Sequence, residues 1–156
     1  MKNTPRFAVI GFGEVGQILA ADLLRAEAQP TGLYDVKFND PDSLPSRAVR
    51  PPLRAAASAP EAVKGAQLVI SSVTAANGLD AARSVAGGLE PGAFFLDLNS
   101  VSPGVKRRSA EAIKAAGGRY VEAAVMTSVP AKRIASPMLL GGSDAQAFLE
   151  RAAALG

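Results

Sequence analysis

The sequence contains no cysteine and no histidine among its 156 residues. Without cysteine, the chain cannot form a disulfide bond, a zinc finger or a thiol nucleophile. Without histidine, it cannot build a Ser-His catalytic pair or a histidine-ligated metal site, so a general acid or base must be lysine, aspartate, glutamate or tyrosine. We therefore predict no metal site in this chain.

Aromatic residues and long apolar runs are also scarce. Aromatics make up 5% of the chain, whereas the hydrophobic 48% consists mainly of alanine, valine and leucine, as is typical of parallel sheets covered by helices. No apolar run approaches the roughly 18 residues of a membrane span, and the N-terminus lacks the pattern of a signal peptide. The net charge is only +3, and the one tight basic run, Lys106-Arg107-Arg108, is predicted to lie on the solvent-facing side of a helix. We expect a cytoplasmic protein with no membrane or nucleic-acid partner.

Apolar runs alternate with helical patterns, which predicts an α/β fold in one domain over residues 1–156. We expect a Rossmann-type, doubly wound and mainly parallel sheet with helices on both faces. Strands are predicted at residues 7–10, 33–35, 53–57, 68–73, 93–98, 120–124 and 137–140, and helices at 14–27, 60–63, 78–86, 103–116 and 144–154. Residues 39–52 contain four prolines and are predicted to be irregular.

Four local signals set the predicted boundaries of these elements. Pro30 and Gly32 are predicted to break the chain before the second strand. Gly87-Gly88 is predicted to end a helix in the left-handed conformation, and Gly117-Gly118 to end the helix that starts at Pro103. Ser143 is predicted to cap the last helix.

The segment Gly11-Phe12-Gly13-Glu14-Val15-Gly16 follows the first strand and opens an amphipathic helix. In a dinucleotide-binding turn, the first glycine permits the tight turn and the second lets the backbone approach a pyrophosphate. The third lets the helix pack against the strand. The anion would lie against free N–H groups at the positive end of the helix. We therefore predict these six residues to bind a cofactor.

An acidic residue at the end of the second strand completes this pattern. Asp35 follows Gly16 by 19 positions, close to the spacing of about 20 at which a carboxylate binds the ribose hydroxyls of the cofactor. Its charge would repel a 2′-phosphate and so favours NAD, although the nearby Lys37 leaves NADP open. Two alternatives stay open here. The glycines could form a turn with only a structural role, or the domain could bind S-adenosylmethionine, against which the packing glycine Gly16 argues.

Four segments are more specific when taken together: the glycine turn, Ser71-Ser72-Val73-Thr74, Asp97-Leu98-Asn99-Ser100-Val101-Ser102-Pro103 and Pro137-Met138-Leu139-Leu140-Gly141-Gly142. With them, the chain resembles the NAD-binding domain of the β-hydroxyacid dehydrogenases, which include 6-phosphogluconate and 3-hydroxyisobutyrate dehydrogenases. The third segment is similar to the D-x-S-T-x-x-P segment of that family. The resemblance implies cofactor contacts at Val73, Thr74 and Asn99 and a substrate contact at Ser100. Asn99-Ser100 could also form a cap and turn before the helix at Pro103, and both interpretations can hold together.

The sequence departs from the family after the sixth predicted strand. The family has a Ser-Gly-Gly turn there for the substrate, whereas this chain has Met126-Thr127-Ser128. The resemblance implies that Thr127 and Ser128 bind the substrate. Because two flexible glycines are replaced and a thioether is added, we expect a different substrate from those of the better-known members.

The second departure concerns the general base. In the family this base is a lysine from an all-helical second domain, and no lysine of this chain matches it. We expect the chain to be a fragment of an NAD(P)-dependent dehydrogenase for a small β-hydroxyacid, inactive alone and derived from a dimeric or larger parent. The alternative is a non-catalytic module that senses NAD(H) or a nucleotide.

Overall fold

The computed structural model describes residues 4–153, within which six strands form one sheet. The strands are β1 (Arg6–Ile10), β2 (Gln29–Tyr34), β3 (Leu68–Ser71), β4 (Phe94–Asp97), β5 (Arg119–Val125) and β6 (Met138–Gly141). The helices are α1 (Glu14–Arg25), α2 (Leu44–Ala48), α3 (Ala59–Val63), α4 (Gly78–Ser84), α5 (Pro103–Ala115), α6 (Val129–Lys132) and α7 (Ala145–Ala152). Short 3₁₀ turns span Val36–Asn39, Ala75–Asn77 and Arg133–Ala135. No helix in this part of the chain has the length and apolarity to span a bilayer.

The sheet has the order β2-β1-β3-β4-β5-β6. Strands β1 to β5 are parallel, and β6 returns antiparallel beside β5, with Met138 opposite Val125. The chain moves outward from β1 to β2 and then crosses back to β3 on the other side of β1, so the order reverses between β1 and β3. Ligands of such sheets bind beyond the carboxyl ends of the strands at this reversal. The arrangement confirms the predicted Rossmann-type α/β fold.

The apolar core is divided by the sheet into two layers. Successive strand residues point to opposite faces, so Ala8 and Val69 pack in one layer and Val9 and Ile70 in the other. Helices α3, α4 and α5 cover the first face, whereas α1 and α7 cover the second. Helices therefore lie on both faces, as predicted.

Pro30 and Gly32 lie inside β2, and the prediction that they break the chain is wrong. Because β2 is the edge strand, the missing N–H of a proline is tolerated there. The register between β1 and β2 shifts after Phe7, and the hydroxyl of Thr31 donates to the carbonyl oxygens of Phe7 (3.2 Å) and Ala62 (2.8 Å). Gly32 permits the close approach of α3, because an added Cβ would lie 2.8 Å from Cα of Ala62.

The segment between β2 and α3 differs from its prediction in two ways. The strand predicted at residues 53–57 is only a single bridge between Leu33 and Ala55, with hydrogen bonds made by the main chain of Leu33 alone. The segment predicted to be irregular contains α2, because Pro45 occupies the first turn of a helix, where no N–H is required. Ser43 caps this helix by accepting a hydrogen bond from the N–H of Ser46 (3.3 Å).

Three predicted helix boundaries can be checked in the second half of the chain. Gly117 has φ +85° and ends α5 as predicted, whereas Gly87 and Gly88 lack a positive φ and do not form a left-handed end. Gly88 is instead required by packing, because an added Cβ would overlap the carbonyl oxygen of Pro60. Ser143 does not cap α7: the N-cap is Asp144, without a side-chain hydrogen bond. The predicted end of this helix at residue 154 lies outside the described residues.

Candidate functional site

The glycine turn joins β1 to α1 at the carboxyl edge of the sheet. Gly11 has φ +88°, and an added Cβ would overlap the carbonyl oxygen of Ser72, so no other residue fits this position without a shift of backbone. The N–H of Gly11 donates to the carbonyl oxygen of Tyr34 (2.8 Å), and the hydroxyl of Ser72 donates to the carbonyl oxygen of Gly11 (2.9 Å). The turn is thus held between the ends of β2 and β3.

The other two glycines of the turn have opposite environments. An added Cβ at Gly16 would overlap the carbonyl oxygen of Gly11 and lie 3.0 Å from Oγ of Ser72, which agrees with the predicted packing of the helix against the strand. An added Cβ at Gly13 would meet no atom within 4 Å. The protein itself therefore does not require glycine at position 13, but it leaves the backbone there bare.

Asp35 lies directly after β2 and faces the glycine turn. Its carboxylate accepts hydrogen bonds from the N–H of Phe12 at Oδ2 (2.8 Å) and from the N–H of Lys37 at Oδ1 (2.9 Å). These bonds fix the carboxylate while leaving it half-buried, so lone pairs of both oxygens remain available to a ligand. The ring of Phe12 is buried in the core beside Phe38, 6.3 Å between ring centroids.

A cleft of about 370 Å³ opens at the carboxyl ends of β1, β2 and β3. It brings together five of the predicted cofactor residues: Gly11, Gly13, Asp35, Val73 and Thr74. The other predicted cofactor residues do not line it: Phe12, Glu14, Val15, Gly16 and Asn99.

Further residues of the cleft were not predicted from the sequence. Pro45 reaches it from the segment after β2, and Asn77, Asp80 and Ser84 reach it from α4 and the turn before it. Lys37, which was placed near the ribose of the cofactor on sequence grounds, lines the cleft as well. The carboxyl-edge rule points to the loop after β3, but the sequence contains no signal for which face of α4 meets the cleft.

Asn99 joins the ends of two strands. It is 4% exposed, its Oδ1 accepts a hydrogen bond from the N–H of Val73 (2.9 Å), and its Nδ2 donates to Oγ of Ser71 (3.0 Å). The alternative in which Asn99 caps the following helix is wrong, because Ser102 is the N-cap of α5. Asn99 therefore positions Val73, which lines the cleft, rather than lining it.

A buried polar cluster lies beneath this loop. The carboxylate of Asp97 accepts hydrogen bonds from the Tyr120 hydroxyl (2.5 Å) and from the N–H of Asn99 (2.9 Å), and Nζ of Lys106 lies 3.6 Å from its Oδ1. Burial of the phenol, together with its hydrogen bond to the Asp97 carboxylate, raises the pKa of Tyr120 far above its usual value. The phenol therefore stays protonated and acts as a permanent donor to Asp97.

The prediction that the whole run Lys106-Arg107-Arg108 faces solvent is wrong for its first residue. Lys106 is 8% exposed and lies on the sheet-facing side of α5 with Ser109 and Ile113. Arg107 and Arg108 are exposed as predicted. The buried carboxylate of Asp97 explains the position of Lys106, because a buried charge needs an opposite charge beside it.

The predicted substrate residues lie at the same carboxyl edge but outside the cleft. Thr127 and Ser128 are exposed in the connection from β5 to β6, and Ser100 is exposed in the loop after β4. The connection contains α6 and the 3₁₀ turn Arg133–Ala135, neither of which was predicted.

A parallel sheet with this reversal, a bare glycine backbone at a helix N-terminus and an acidic residue after the second strand defines a Rossmann-type dinucleotide-binding domain. Residues 6–155 match the family model described as the NAD binding domain of 6-phosphogluconate dehydrogenase. The chain belongs to this family of NAD-binding domains. No curated protein matched the chain.

Several solved structures are similar to the chain. A conserved hypothetical protein from Sinorhizobium meliloti 1021 has 36% identity and a TM-score of 0.87, over 99% of this chain and 52% of that one. The conserved protein MTH1747, described as structurally similar to 3-hydroxyacid dehydrogenases, has 28% identity and a TM-score of 0.75, over 97% and 55%. The 3-hydroxyisobutyrate dehydrogenase of Mycobacterium tuberculosis, solved with L-serine, has 23% identity and a TM-score of 0.79, over 97% and 50%. The chain spans about half the length of these proteins.

The residues present fit a nicotinamide dinucleotide. The bare backbone of Gly13 leaves room for a pyrophosphate at the N-terminus of α1, where the first N–H groups of a helix have no partner within it. The carboxylate of Asp35 lies in the same cleft, within the region where the ribose of such a cofactor binds.

Proposed function

We propose that this domain binds NAD for hydride transfer to or from a small β-hydroxyacid. The observation that carries the proposal is the environment of Gly13: a bare, unfilled backbone surface at a helix N-terminus, in a cleft that also contains a fixed carboxylate.

In this proposal the nicotinamide supplies the redox chemistry, and the protein binds and orients it. The turn at Gly11 and Gly13 binds the pyrophosphate, and Val73 and Thr74 lie along the path of the cofactor toward β4. Asn99 acts indirectly, because its Oδ1 accepts a hydrogen bond from the N–H of Val73 and holds the main chain of Val73 in place.

We further propose that NAD is preferred over NADP. The carboxylate of Asp35 accepts hydrogen bonds from a ribose and repels a 2′-phosphate. Lys37, which lines the same cleft, reduces this preference. The preference should therefore depend on Asp35 and increase when Lys37 is replaced by a neutral residue.

The substrate is proposed to lie beyond the ends of β4 and β5. The exposed hydroxyls of Ser100, Thr127 and Ser128 are suited to hydrogen bonding with the carboxylate or hydroxyl of a small acid. The resemblance places the general base of the family, a lysine, in a second, all-helical domain, and no lysine of this chain matches it. We propose that the proton acceptor comes from residues outside this domain, in a parent that is a dimer or larger.

The same observation favours the second candidate, a module that senses NAD(H) or a nucleotide without catalysis. The two candidates differ in turnover. Reduction of NAD by a panel of β-hydroxyacids, measured at 340 nm on the parent protein, supports the dehydrogenase, whereas binding without turnover favours the sensor.

The substitution Gly13→Val tests the proposal directly. The new side chain enters open space, so the fold should be retained while the pyrophosphate is blocked. Calorimetry should show loss of NADH binding with an unchanged melting temperature. Gly104→Val, on the first turn of α5 and outside the cleft, is the matched control and should bind NADH normally. Normal binding by Gly13→Val would make the turn merely structural.

A further inference from the structure

Asp22 on α1 accepts hydrogen bonds from a distant segment of the chain. Nε and Nη2 of Arg133 lie 2.9 and 2.7 Å from its Oδ1, and the N–H of Ile134 lies 3.0 Å from its Oδ2. Nη1 of Arg25, from the same helix, lies 2.8 Å from Oδ1. Asp22 is only 7% exposed, so this carboxylate is a buried acceptor for donors that are 111 and 112 positions away.

The backbone of Arg133 has an unusual conformation. It has φ 55° and ψ −135°, in the left-handed half of conformational space that favours glycine. Such strain in a residue with a side chain persists only where the surroundings enforce it. The surrounding contacts of Arg133 are the two-pronged contact of its guanidinium with Asp22, a strong form of hydrogen bonding, and the hydrogen bonds that Ser136 donates to its carbonyl oxygen.

Arg133 lies in the connection between residues 126 and 137, which leaves β5 at the carboxyl edge and returns to begin β6. The N–H of Met126 donates to the carbonyl oxygen of Pro137 (2.9 Å), and the hydroxyl of Ser136 donates to the carbonyl oxygen of Arg133 (2.7 Å). The connection is therefore closed at its base and bonded to α1 at its far side.

Thr127 and Ser128 begin this connection with their hydroxyls exposed. The Thr127 hydroxyl has a long contact of 3.5 Å with the carbonyl oxygen of Ser128, at the limit of a hydrogen bond. The carbonyl oxygen of Ser128 accepts a hydrogen bond from the N–H of Ala131 (3.2 Å), whereas the exposed hydroxyls of Thr127 and Ser128 remain available to a ligand.

We propose that Asp22 and Arg133 are positioning residues. Their contact, which we call the lock, holds the connection between residues 126 and 137 against α1, so that Thr127 and Ser128 face the substrate. The inference rests on the proposed function, because it takes these two hydroxyls as substrate contacts. Burial acts to raise the pKa of Asp22, but the hydrogen bonds and charge of Arg133, with the Ile134 N–H and the charge of Arg25, outweigh it and lower the pKa. The carboxylate is therefore charged at neutral pH.

Hydrogen exchange of the chain tests the lock without any ligand. In Asp22→Asn and in Arg133→Lys, which loses the planar fork but keeps the charge, amides of residues 129–136 should exchange faster by about tenfold or more. Amides of β1, β3 and β4 that exchange through global unfolding should accelerate by no more than the loss of global stability measured by urea unfolding of the same variant. Arg25→Gln is the matched control, because it removes the partner of Asp22 that does not touch the connection, and it should leave exchange of residues 129–136 unchanged.

Steady-state kinetics of the parent protein, with NAD and with the hydroxyacid that the panel of β-hydroxyacids identifies as its substrate, tests the substrate role. Both variants should raise the KM of the hydroxyacid by about tenfold or more while leaving the KM of NAD within about twofold. A general loss of structure would change both.

Two outcomes would contradict the proposal: unchanged exchange of residues 129–136 in both variants, or an unchanged KM for the hydroxyacid. Failure of the wild-type protein to bind NADH or turn over any hydroxyacid would instead overturn the proposed function and, with it, the substrate role of the lock. The exchange result stands separately in that case.

Discussion

At the scale of single residues, the cofactor cleft depends on how one carboxylate is held. Asp35 has a main-chain donor on each oxygen, from Phe12 and from Lys37. The first of these donors belongs to the glycine turn, so the carboxylate that we propose to bind the ribose also holds the turn that we propose to bind the pyrophosphate. The contribution of Phe12 to the site is therefore its N–H, whereas its ring belongs to the core.

The substitution Asp35→Ala is expected to weaken NAD binding by about 1–3 kcal/mol, because the ribose hydroxyls lose their acceptor. Calorimetry with NAD and with NADP measures the loss of NAD affinity and the expected decrease in the preference for NAD over NADP. Asp42→Ala, an exposed acid in the same region of the chain, is the control and should bind as wild type does. Equal NAD affinity of Asp35→Ala and wild type would remove Asp35 from the site.

At the scale of elements, the strand–turn–helix unit of β1 and α1 separates packing from binding. The contact between the helix and the strand depends on Gly16, whereas access to the helix N-terminus depends on Gly13. An added methyl group meets neighbouring atoms at the first position and none within 4 Å at the second. The same change at these two glycines should therefore have different consequences.

We expect Gly16→Ala to lower the free energy of unfolding by about 1–3 kcal/mol through overpacking, which corresponds to a fall in Tm of about 2–4 °C per kcal/mol for a domain of this size. Gly13→Ala should leave Tm nearly unchanged and weaken NADH binding. Thermal melts of both variants measure the change in Tm, and calorimetric titrations with NADH measure the change in binding. A wild-type Tm for Gly16→Ala would show that α1 can move away from β1 at no cost.

At the scale of the whole molecule, the Asp22–Arg133 pair joins parts of the fold that no strand pairing connects directly. It bonds the first helix to the connection beyond the fifth strand. Its stabilising effect therefore acts on the global unfolding equilibrium, and it should depend on pH through the ionisation of Asp22.

Because the pKa of Asp22 is lowered in the folded protein, its stabilisation is fully present above the unfolded pKa of about 3.9 and is lost as pH falls through the folded value. Asp22→Asn should destabilise the protein by about 2 kcal/mol at pH 7, and this difference should shrink below about pH 4. Urea unfolding of both proteins between pH 7 and pH 3 measures it. The exposed control Asp42→Asn should have nearly the unfolding free energy of the wild type at every pH. If the difference in unfolding free energy between Asp22→Asn and wild type does not change with pH, the charge of Asp22 is not its cause.

Local signals predicted the elements that are determined by neighbours in sequence. Apolar runs identified β1, β3, β4, β5 and β6, and the glycine spacing identified the turn before α1. No local sequence signal shows that β2 lies at the edge of the sheet. For this reason Pro30 and Gly32 were wrongly predicted to break the chain. A proline is compatible with a strand only when its missing N–H faces no partner, and that depends on which strands lie beside it.

The fold class, the family resemblance and three cleft residues, Gly11, Gly13 and Asp35, were predicted from sequence patterns. Val73 and Thr74 were predicted from the family resemblance. Three contacts became visible in the folded structure: Lys106 is buried against Asp97, Asn99 bonds the end of β3, and Arg133 reaches Asp22. The reason is physical. Periodicity and turn chemistry act over a few residues, whereas these polar contacts arise when the folded sheet brings distant chain segments together, and burial then requires each charge to find a partner.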